Sequence, residues 1–257
     1  MALKTDLNAD LGESYGRWTL GSDEALMPHL SSANIACGFH GGDPGVMRAT
    51  VRLALEHGVG LGAHVGLPDL LGFGRRLLAV SPDELADYVL YQAGALQAFA
   101  TAEGGALQHV KPHGALYGMC TGDAELAQAV ASAVAQLRGD VILLLAGEKV
   151  ETAAHRARVP FVREGYVDLD YSADGALVLE KFKKLRDPDE MAARSVRLIT
   201  EGKVPTIDGP DIDLAVSSIC IHGDAPNAAA IASAVRQGLH AAGVEVVPLA
   251  ALANDGP

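Results

Sequence analysis

The sequence predicts a single-domain parallel α/β barrel. Short apolar segments alternate with longer amphipathic ones along all 257 residues, and glycine, proline or aspartate stands at most junctions. Hydrophobic residues make up 49% of the chain but aromatic residues only 5%, so a core of Ala, Val, Leu and Ile is expected, as in α/β proteins. Because seven or eight strand–helix units follow one another and no low-complexity linker divides the chain, we expect one closed or nearly closed parallel β/α barrel of the TIM type spanning residues 1–257.

The apolar segments predict strands, and the amphipathic segments between them predict helices. The predicted strands begin with residues 4–8 and continue with 33–37, 59–63, 108–111, 141–145, 160–163, 217–221 and 245–247. The predicted helices cover residues 23–31, 44–57, 82–103, 123–138, 149–157, 188–201 and 226–242. Asp43-Pro44 and Ser81-Pro82 each place a capping oxygen before a first-turn proline and so predict helix starts. Residues 165–189 are less regular and more charged, and are predicted to form an excursion or lid.

Charge and cysteine content exclude several classes of function. With 20 basic and 32 acidic residues the formal charge is −12, which repels nucleic-acid phosphates and anionic lipid headgroups. The first residues carry no apolar signal segment, and the longest strongly apolar stretch, 141–146, is far too short to span a bilayer. Cys37, Cys120 and Cys220 are odd in number and lack CxxC spacing, so reduced thiols are expected. We therefore expect a soluble, cytoplasmic protein without nucleic-acid or membrane partners.

Polar side chains follow the predicted strands at the edge where parallel α/β folds bind ligands. These are Asp10 after the first strand, His40 after the second, His64 after the third, His113 after the fourth, and His222 with Asp224 after the seventh. Any single histidine is about as consistent with a structural hydrogen bond as with catalysis. Because chance rarely places histidine after four strands at once, we interpret the set as a functional site.

The first strand alternates polar and apolar residues, so Asp6, Asn8 and Asp10 share one face. Helices cover the outside of such a barrel, so this polar face is expected to point inward. His109, Lys111 and His113 repeat the pattern. An unpaired buried carboxylate is costly, so Lys111 is the expected counter-ion of either Asp6 or Asp10.

Two glycine-containing stretches add candidates. Glu13 directly follows the first strand and is a candidate acid or base. Residues 72–76, Gly-Phe-Gly-Arg-Arg, offer free amides and two guanidiniums as an anion clamp in which Arg75 is the candidate ligand. Neither GxxxxGK[ST] nor GxGxxG occurs, so spacing alone indicates no nucleotide site.

Together these motifs resemble the LamB/YcsF family almost from end to end. The resemblance is carried by residues 6–13, 32–40, 62–64, 72–76, 109–117 and 222–224. It implies a seven-stranded barrel related to polysaccharide deacetylases. It also implies the role of the A component in an ATP-dependent 5-oxoprolinase, which opens the lactam 5-oxoproline to L-glutamate together with 5-oxoprolinase subunits B and C. ATP with Mg²⁺ is then the implied cofactor, and a resident transition metal is not expected.

From the residues and the resemblance together we predict the following site. The predicted catalytic residues are Asp10, Glu13, Lys111 and His113. The predicted substrate-binding residues are Asp6, Asn8, His40, His64, Arg75, His222 and Asp224. Two positions depart from the family pattern, because Leu169 replaces an arginine and Glu180 replaces a basic residue. Both changes remove a cation from a region where an anionic group could bind.

Two other functions stay open at this point. The first is a metal-dependent amide hydrolase or deacetylase, with Asp10, His64 and His113 as ligands of an ion that activates water. The second is a non-catalytic scaffold that holds the lactam for its partners. The sequence also leaves open whether the chain forms a homo-oligomer.

Overall fold

Seven parallel strands close into a barrel in the computed structural model of the protein, which describes residues 3–178 and 184–253. The barrel consists of β1 to β6 and β11. All strands of the described residues, including the short ones outside the barrel, are β1 (Lys4–Leu11), β2 (Ser32–Ala36), β3 (Gly60–Val65), β4 (Leu107–Pro112), β5 (Ile142–Leu145), β6 (Phe161–Tyr166), β7 (Asp170–Tyr171), β8 (Leu177–Val178), β9 (Lys203–Val204), β10 (Ile212–Asp213), β11 (Ser218–Ile221) and β12 (Glu245–Val246). Strands β1 to β6 pair in sequence order, and β11 pairs with both β6 and β1. The predicted seven-stranded barrel is confirmed.

Helices surround this ring. They are α1 (Asp23–Leu26), α2 (Pro44–Glu56), α3 (Pro82–Ala102), α4 (Gly114–Gly122), α5 (Ala124–Val134), α6 (Glu148–Ala157), α7 (Pro188–Glu201), α8 (Ala228–Ala241) and α9 (Leu249–Ala253). The Asp43 carboxylate caps α2 by accepting two backbone N–H groups, and Ser81 forms a capping box with Glu84 at α3. Among the described residues no helix combines the length and apolarity needed to cross a membrane.

The structure differs from the sequence-based element assignment in several places, and the short strands β9 and β10 and the helix α9 were not predicted. The predicted eighth strand, β12, pairs only with the first two residues of β1 and lies outside the closed ring. Helix α4 was not predicted, because its glycines at 114, 118 and 122 weaken the helical signal. The predicted excursion contains the antiparallel pair β7–β8, and residues 179–183 within it lie outside the described residues.

The inside of the barrel is polar where β1 passes through it. Leu7, Ala9 and Leu11 are at most 1% exposed and belong to the apolar core, whereas the alternate residues of β1 point inward. Asp6 lies deepest, and its carboxylate accepts hydrogen bonds from the hydroxyls of Ser31, Ser32 and Ser218 at 2.5–2.7 Å, taking up both oxygens. These three hydroxyls allow a carboxylate to be buried without a cation beside it.

The close packing of His109 against β3 predicts opposite effects for two glycine substitutions. A Cβ on Gly62 would lie 1.9 Å from His109 Nε2, whose ring is buried and bonded to Asn34, whereas a Cβ on Gly94 in α3 meets nothing within 4 Å. We expect Gly62→Ala to lower the free energy of unfolding by about 1–3 kcal/mol through overpacking. Gly94→Ala should raise it by roughly 0.5–1 kcal/mol through helix propensity. Urea unfolding measures both, and equal effects would contradict this account.

Candidate active site at the barrel mouth

Lys111 lies at the centre of the barrel mouth, the end where the carboxyl ends of the strands meet, and is 1% exposed. Its ammonium donates to Asn8 Oδ1 at 3.3 Å, Asp10 Oδ1 at 3.1 Å and Cys220 Sγ at 2.9 Å. It also forms an ion pair with Glu164 Oε2 at 3.1 Å. One buried cation therefore joins side chains from β1, β4, β6 and β11.

Lys111 and its two carboxylates determine each other's charge. Burial alone would lower the pKa of Lys111, but the neighbouring acids, Asp10 foremost, raise it well above its usual value. Burial would also raise the pKa of Asp10, yet the charges of His64 and Lys111 hold it well below its usual range. Burial raises the pKa of Glu164. A charged lysine beside an ionised Asp10 is the state that these directions favour.

An amide and an imidazole fix the position of Asp10 from the side of β2 and β4. Asn34 donates through Nδ2 to Asn8 Oδ1 at 2.7 Å and to Asp10 Oδ1 at 2.9 Å. Its Oδ1 accepts from His109 Nε2 at 2.7 Å. Burial lowers the pKa of His109 to about 3, so this imidazole is neutral at physiological pH. The network holds Asp10 through neutral groups as well as through Lys111.

Three histidines and one glutamate form a compact group beside Asp10. The rings of His40 and His113 stack with centroids 3.7 Å apart, and His113 Nδ1 lies 2.9 Å from His64 Nε2. Glu13 Oε1 lies 3.2 Å from His40 Nε2 and 3.8 Å from His113 Nδ1. All four side chains are buried, and one donor atom from each lies within 4.8 Å of the others. This set, the histidine–glutamate cluster, could hold a metal ion.

The two carboxyl groups at the mouth end of β1 have opposite protonation tendencies. Burial, reinforced by the charge of Asp10, raises the pKa of Glu13 well above its usual value. Burial lowers the pKa values of His40 and His113 well below theirs. With no bound cation, a protonated Glu13 and neutral imidazoles therefore stand next to an ionised Asp10.

The loop after β3 packs directly onto this cluster. Phe73 O lies 2.8 Å from His113 Nε2. Gly74 has φ +62°, and a Cβ there would lie 2.7 Å from His40 Cβ and 2.9 Å from His113 Cδ2. Glycine is required at this position both by the left-handed backbone and by the close approach of two imidazoles.

The opposite side of the mouth carries a second group of polar residues. The His222 backbone N–H donates to Asp168 Oδ2 at 2.9 Å, its Nδ1 lies 3.0 Å from the same oxygen, and its ring stacks on Tyr166. Arg75 Nη2 donates to Asp224 Oδ2 at 3.0 Å, and the Arg75 side chain is 36% exposed. This ion pair joins the loops after β3 and β11 across the mouth.

The structure thus brings most of the predicted site residues to one end of the barrel, while their catalytic and binding roles stay predictions. The residues at the mouth are Asn8, Asp10, Glu13, His40, His64, Arg75, Lys111, His113, His222 and Asp224. Asp6 lies below them, and its hydrogen-bond partners are internal hydroxyls and the amide of Asn8. Of the two predicted counter-ions of Lys111, the structure has Asp10 and not Asp6.

The structure bears on three further expectations, and a fourth lies outside the described residues. The two-guanidinium clamp is not formed, because Arg76 pairs with Asp69 instead. Leu169 is 1% exposed and packs in the apolar core. The other position that departs from the family pattern, Glu180, lies outside the described residues. The alternative metal set shares His64 and His113 with the histidine–glutamate cluster, but Asp10 does not belong to that cluster.

Sequence reasoning missed Asn34, Glu164, Asp168 and Cys220 as parts of the mouth. Glu164 had only a weak signal: it shares one face of β6 with Val162 and Tyr166, but its direct neighbours are Arg163 and Gly165, so the strand shows no clear polar–apolar alternation. The alternation of Ser32 and Asn34 in β2 repeats the pattern of β1. Cys220 had no such signal, since cysteine is common in apolar cores.

Comparison with known proteins places this geometry in a family. The sequence matches the LamB/YcsF family over residues 5–254. The chain belongs to the LamB/YcsF family. It is 49% identical over 252 residues to a protein of Methylococcus capsulatus named as the A component of 5-oxoprolinase, with 97% of each chain covered. It is also 49% identical over 247 residues to the equally named protein of Thermus thermophilus, with 95% of this chain and 99% of the relative covered.

Solved structures agree with this LamB/YcsF assignment. The crystal structure of the lactam utilization protein from Thermus thermophilus superposes with a TM-score of 0.88 at 47% identity, covering 95% of this chain and 99% of that one. A peptidoglycan N-acetylglucosamine deacetylase superposes with a TM-score of 0.51 at 13% identity, covering 96% and 86%. At that identity the second likeness shows a shared fold alone, and it confirms the expected relation to deacetylase barrels.

The four contacts of Lys111 predict a large stability effect on its removal. Lys111→Met leaves Asp10 and Glu164 buried without a cation, so we expect the free energy of unfolding to fall by about 3–5 kcal/mol at neutral pH. Lys203→Met changes an exposed lysine in β9 and should stay within about 0.5 kcal/mol of wild type. Urea unfolding of both variants is the measurement. A loss at Lys111 no larger than at Lys203 would contradict the ion-pair account.

Burial of Asp6 predicts a specific pH dependence of stability. Burial raises the pKa of Asp6 above its usual value of 3.8, so the folded state binds this proton more tightly than the unfolded state. Wild type should therefore lose stability relative to Asp6→Asn as pH rises from the unfolded pKa through the raised folded pKa. The difference in free energy of unfolding between the two proteins, followed from about pH 3.5 to 7, should change in this direction. A pH-independent difference would show that the burial cost is fully compensated by the hydroxyls.

Proposed function

We propose that this chain is the A component of an ATP-dependent 5-oxoprolinase and acts with partner subunits B and C in the cytoplasm. The observation that carries the proposal is the 49% identity over 97% of both chains to a protein named as that component. The polar mouth supports it, because it offers a buried cation together with an ionised and a protonated carboxyl group. These are the groups that opening of a charged lactam requires.

The chemistry of 5-oxoproline explains why ATP is needed. Its five-membered amide resists water, and the ring also closes readily again. Transfer of the γ-phosphoryl group of ATP, bound as its Mg²⁺ complex, to the amide oxygen releases ADP and activates the amide carbon. One water adds to that carbon, and expulsion of the ring nitrogen breaks the C–N bond and leaves an acyl phosphate. A second water hydrolyses the acyl phosphate, so the products are L-glutamate, ADP and phosphate.

In this proposal Lys111 and Arg75 provide the positive charge. Lys111 stabilises negative charge that develops on the oxygen of the reacting amide, since a preorganised buried cation acts strongly where water is excluded. Arg75 is partly exposed at the mouth and is held by Asp224 alone among the described carboxylates, so it is positioned to bind the carboxylate of the substrate. His40, His64, His222 and the amide of Asn8 shape the remaining pocket.

Asp10 and Glu13 divide the proton transfers between them. Two carboxyl groups whose environments shift their pKa values in opposite directions are typical of paired base and acid roles. Asp10, with its lowered pKa, stays ionised and accepts a proton from the attacking water. His64, whose Nε2 lies 3.4 Å from Asp10 Oδ2 and 2.9 Å from His113 Nδ1, connects Asp10 to His113 for passing the proton on. Glu13, with its raised pKa, retains a proton that it gives to the departing ring nitrogen.

The reconstituted three-component enzyme tests the proposal. Wild-type chain with subunits B and C should release glutamate from 5-oxoproline only with ATP, and Asp10→Asn should lower kcat by about a hundredfold or more. Asp87→Asn, the same chemical change on the exposed side of α3, should leave turnover unchanged. Glutamate release and ADP formation are measured together. Full turnover with Asp10→Asn would instead identify the chain as a non-catalytic scaffold.

A metal-dependent amide hydrolase is the second candidate function. The observation that favours it is the histidine–glutamate cluster, whose four donor atoms lie within 4.8 Å of one another. Amide hydrolysis by the isolated chain without ATP, abolished by a chelator, would establish this function in place of the first. An absolute requirement for ATP and for both partners would exclude it.

A further inference from the structure

Two imidazole nitrogens in the mouth face each other in an arrangement that requires a cation between them. His64 Nδ1 lies 3.0 Å from Lys111 O, and His113 Nε2 lies 2.8 Å from Phe73 O. Backbone carbonyls only accept hydrogen bonds, so each of these nitrogens carries a proton. When both rings are neutral, the other nitrogens, His64 Nε2 and His113 Nδ1, carry no proton and point at each other across 2.9 Å. Two lone pairs at this distance repel unless a proton or a metal ion joins them.

The surrounding donors favour a metal ion. Histidine ligands usually donate their second ring N–H to a carbonyl or carboxylate, which fixes the ring and the tautomer, and both His64 and His113 do so. Glu13 Oε1 lies 3.8 Å from His113 Nδ1 and adds a carboxylate oxygen on the same side. Ligands about 2.0–2.2 Å from a tetrahedral ion are roughly 3.4 Å from one another, and the observed separations bracket that value.

The loop after β3 maintains this arrangement at a backbone cost. Phe73 has φ +55° and is one of two non-glycine residues in the left-handed region among the described residues. This conformation places its carbonyl against His113 Nε2. Left-handed backbone at a bulky residue is strained and is found preferentially at functional sites. The strain is consistent with a loop that holds a ligand imidazole in one tautomer.

We propose that a divalent transition metal ion of the zinc class binds between His64 Nε2 and His113 Nδ1 with Glu13 as the third protein ligand. His40 donates through Nε2 to Glu13 and so acts as a positioning residue for that carboxylate. Asp10 does not belong to the cluster: its Oδ1 is held by Lys111 and Asn34, and its Oδ2 lies 3.4 Å from His64 Nε2, beside the proposed ion. Three protein ligands leave a fourth coordination position open, which is the arrangement of ion sites that bind water or a substrate oxygen.

The ligand set differs from the one expected from sequence because Glu13 takes the place of Asp10. Bound to an ion, Glu13 is ionised and acts as a ligand, so the metal-loaded chain would not use it as the proton donor of the proposed lactam reaction. Metal binding itself is measured with neither ATP nor partner chains. A metal-binding chain that fails to open 5-oxoproline would overturn the proposed function alone. A 5-oxoprolinase without a metal would overturn the inference alone.

Zinc titration of the isolated full-length chain, stripped with chelator and followed by calorimetry and metal analysis, tests the inference. We expect about one Zn²⁺ per wild-type chain, bound at least a hundredfold more weakly by His64→Gln, His113→Gln and Glu13→Gln, since loss of even an outer partner costs roughly 10- to 100-fold. His155→Gln, the same change at an exposed histidine of α6, should bind as wild type. His40→Gln should weaken binding by roughly tenfold, because it disturbs Glu13 without removing a ligand.

X-ray absorption of zinc-loaded wild type gives a readout that does not depend on variants folding. Two imidazole ligands with oxygen donors at about 2.0–2.2 Å are expected. Failure of wild type to bind Zn²⁺, Co²⁺ or Mn²⁺ would overturn the inference and assign the space between the rings to a shared proton. Zinc bound equally well by the three ligand variants, or a spectrum without imidazole, would overturn it as adventitious binding elsewhere.

Discussion

The structure depends on the requirement that charges inside a barrel be paired. The inward face of β1 carries Asp6, Asn8 and Asp10 into a space from which water is largely excluded. Unpaired, these carboxylates would oppose folding, because desolvation of each ion costs several kcal/mol, roughly, even after relaxation. Three serine hydroxyls satisfy Asp6, and Lys111 satisfies Asp10. The polar groups at the mouth are therefore held in place by the same hydrogen bonds and ion pairs that allow the carboxylates of β1 to be buried.

The partners that stabilise the buried carboxyl groups change along β1 from neutral hydroxyls to a cation. At the closed bottom, neutral hydroxyls hold Asp6 and occupy both of its carboxylate oxygens. At the mouth, Lys111 and His64 stabilise an ionised Asp10, while Glu13, just beyond the end of the strand and without a cation as close, favours its protonated form. Burial raises both carboxyl pKa values, and the position of the cation decides which of them stays charged. The same stretch of chain therefore carries three buried carboxyl groups in different environments: Asp6 with internal hydroxyl partners and a raised pKa, Asp10 with a lowered pKa, and Glu13 with a raised pKa.

The buried histidines of the mouth are held by hydrogen bonds and close packing. Burial lowers the pKa values of His40 and His113, and which nitrogen of each neutral ring carries the proton depends on its hydrogen-bond partners. The loop after β3 supplies one of these partners through the Phe73 carbonyl, and Gly74 lets the loop approach the rings. The glycine-rich segment, residues 72–76, which was first interpreted as an anion clamp, therefore packs against the histidines of the mouth. It fixes the orientation of the histidine–glutamate cluster, while Arg75 alone reaches the opposite side of the mouth.

By itself the sequence determined the barrel, the inward polar face of β1 and the ring of histidines after the strands, because period-two alternation and βα spacing are local properties of the chain. It also supported the relation to the LamB/YcsF family. Only the tertiary structure decided that Lys111 pairs with Asp10 and Glu164, and that Glu13 joins His64 and His113 while Asp10 does not. Leu169 likewise proved to be a core residue. These outcomes depend on distances of a few ångströms between strands far apart in sequence, and no local pattern encodes such distances.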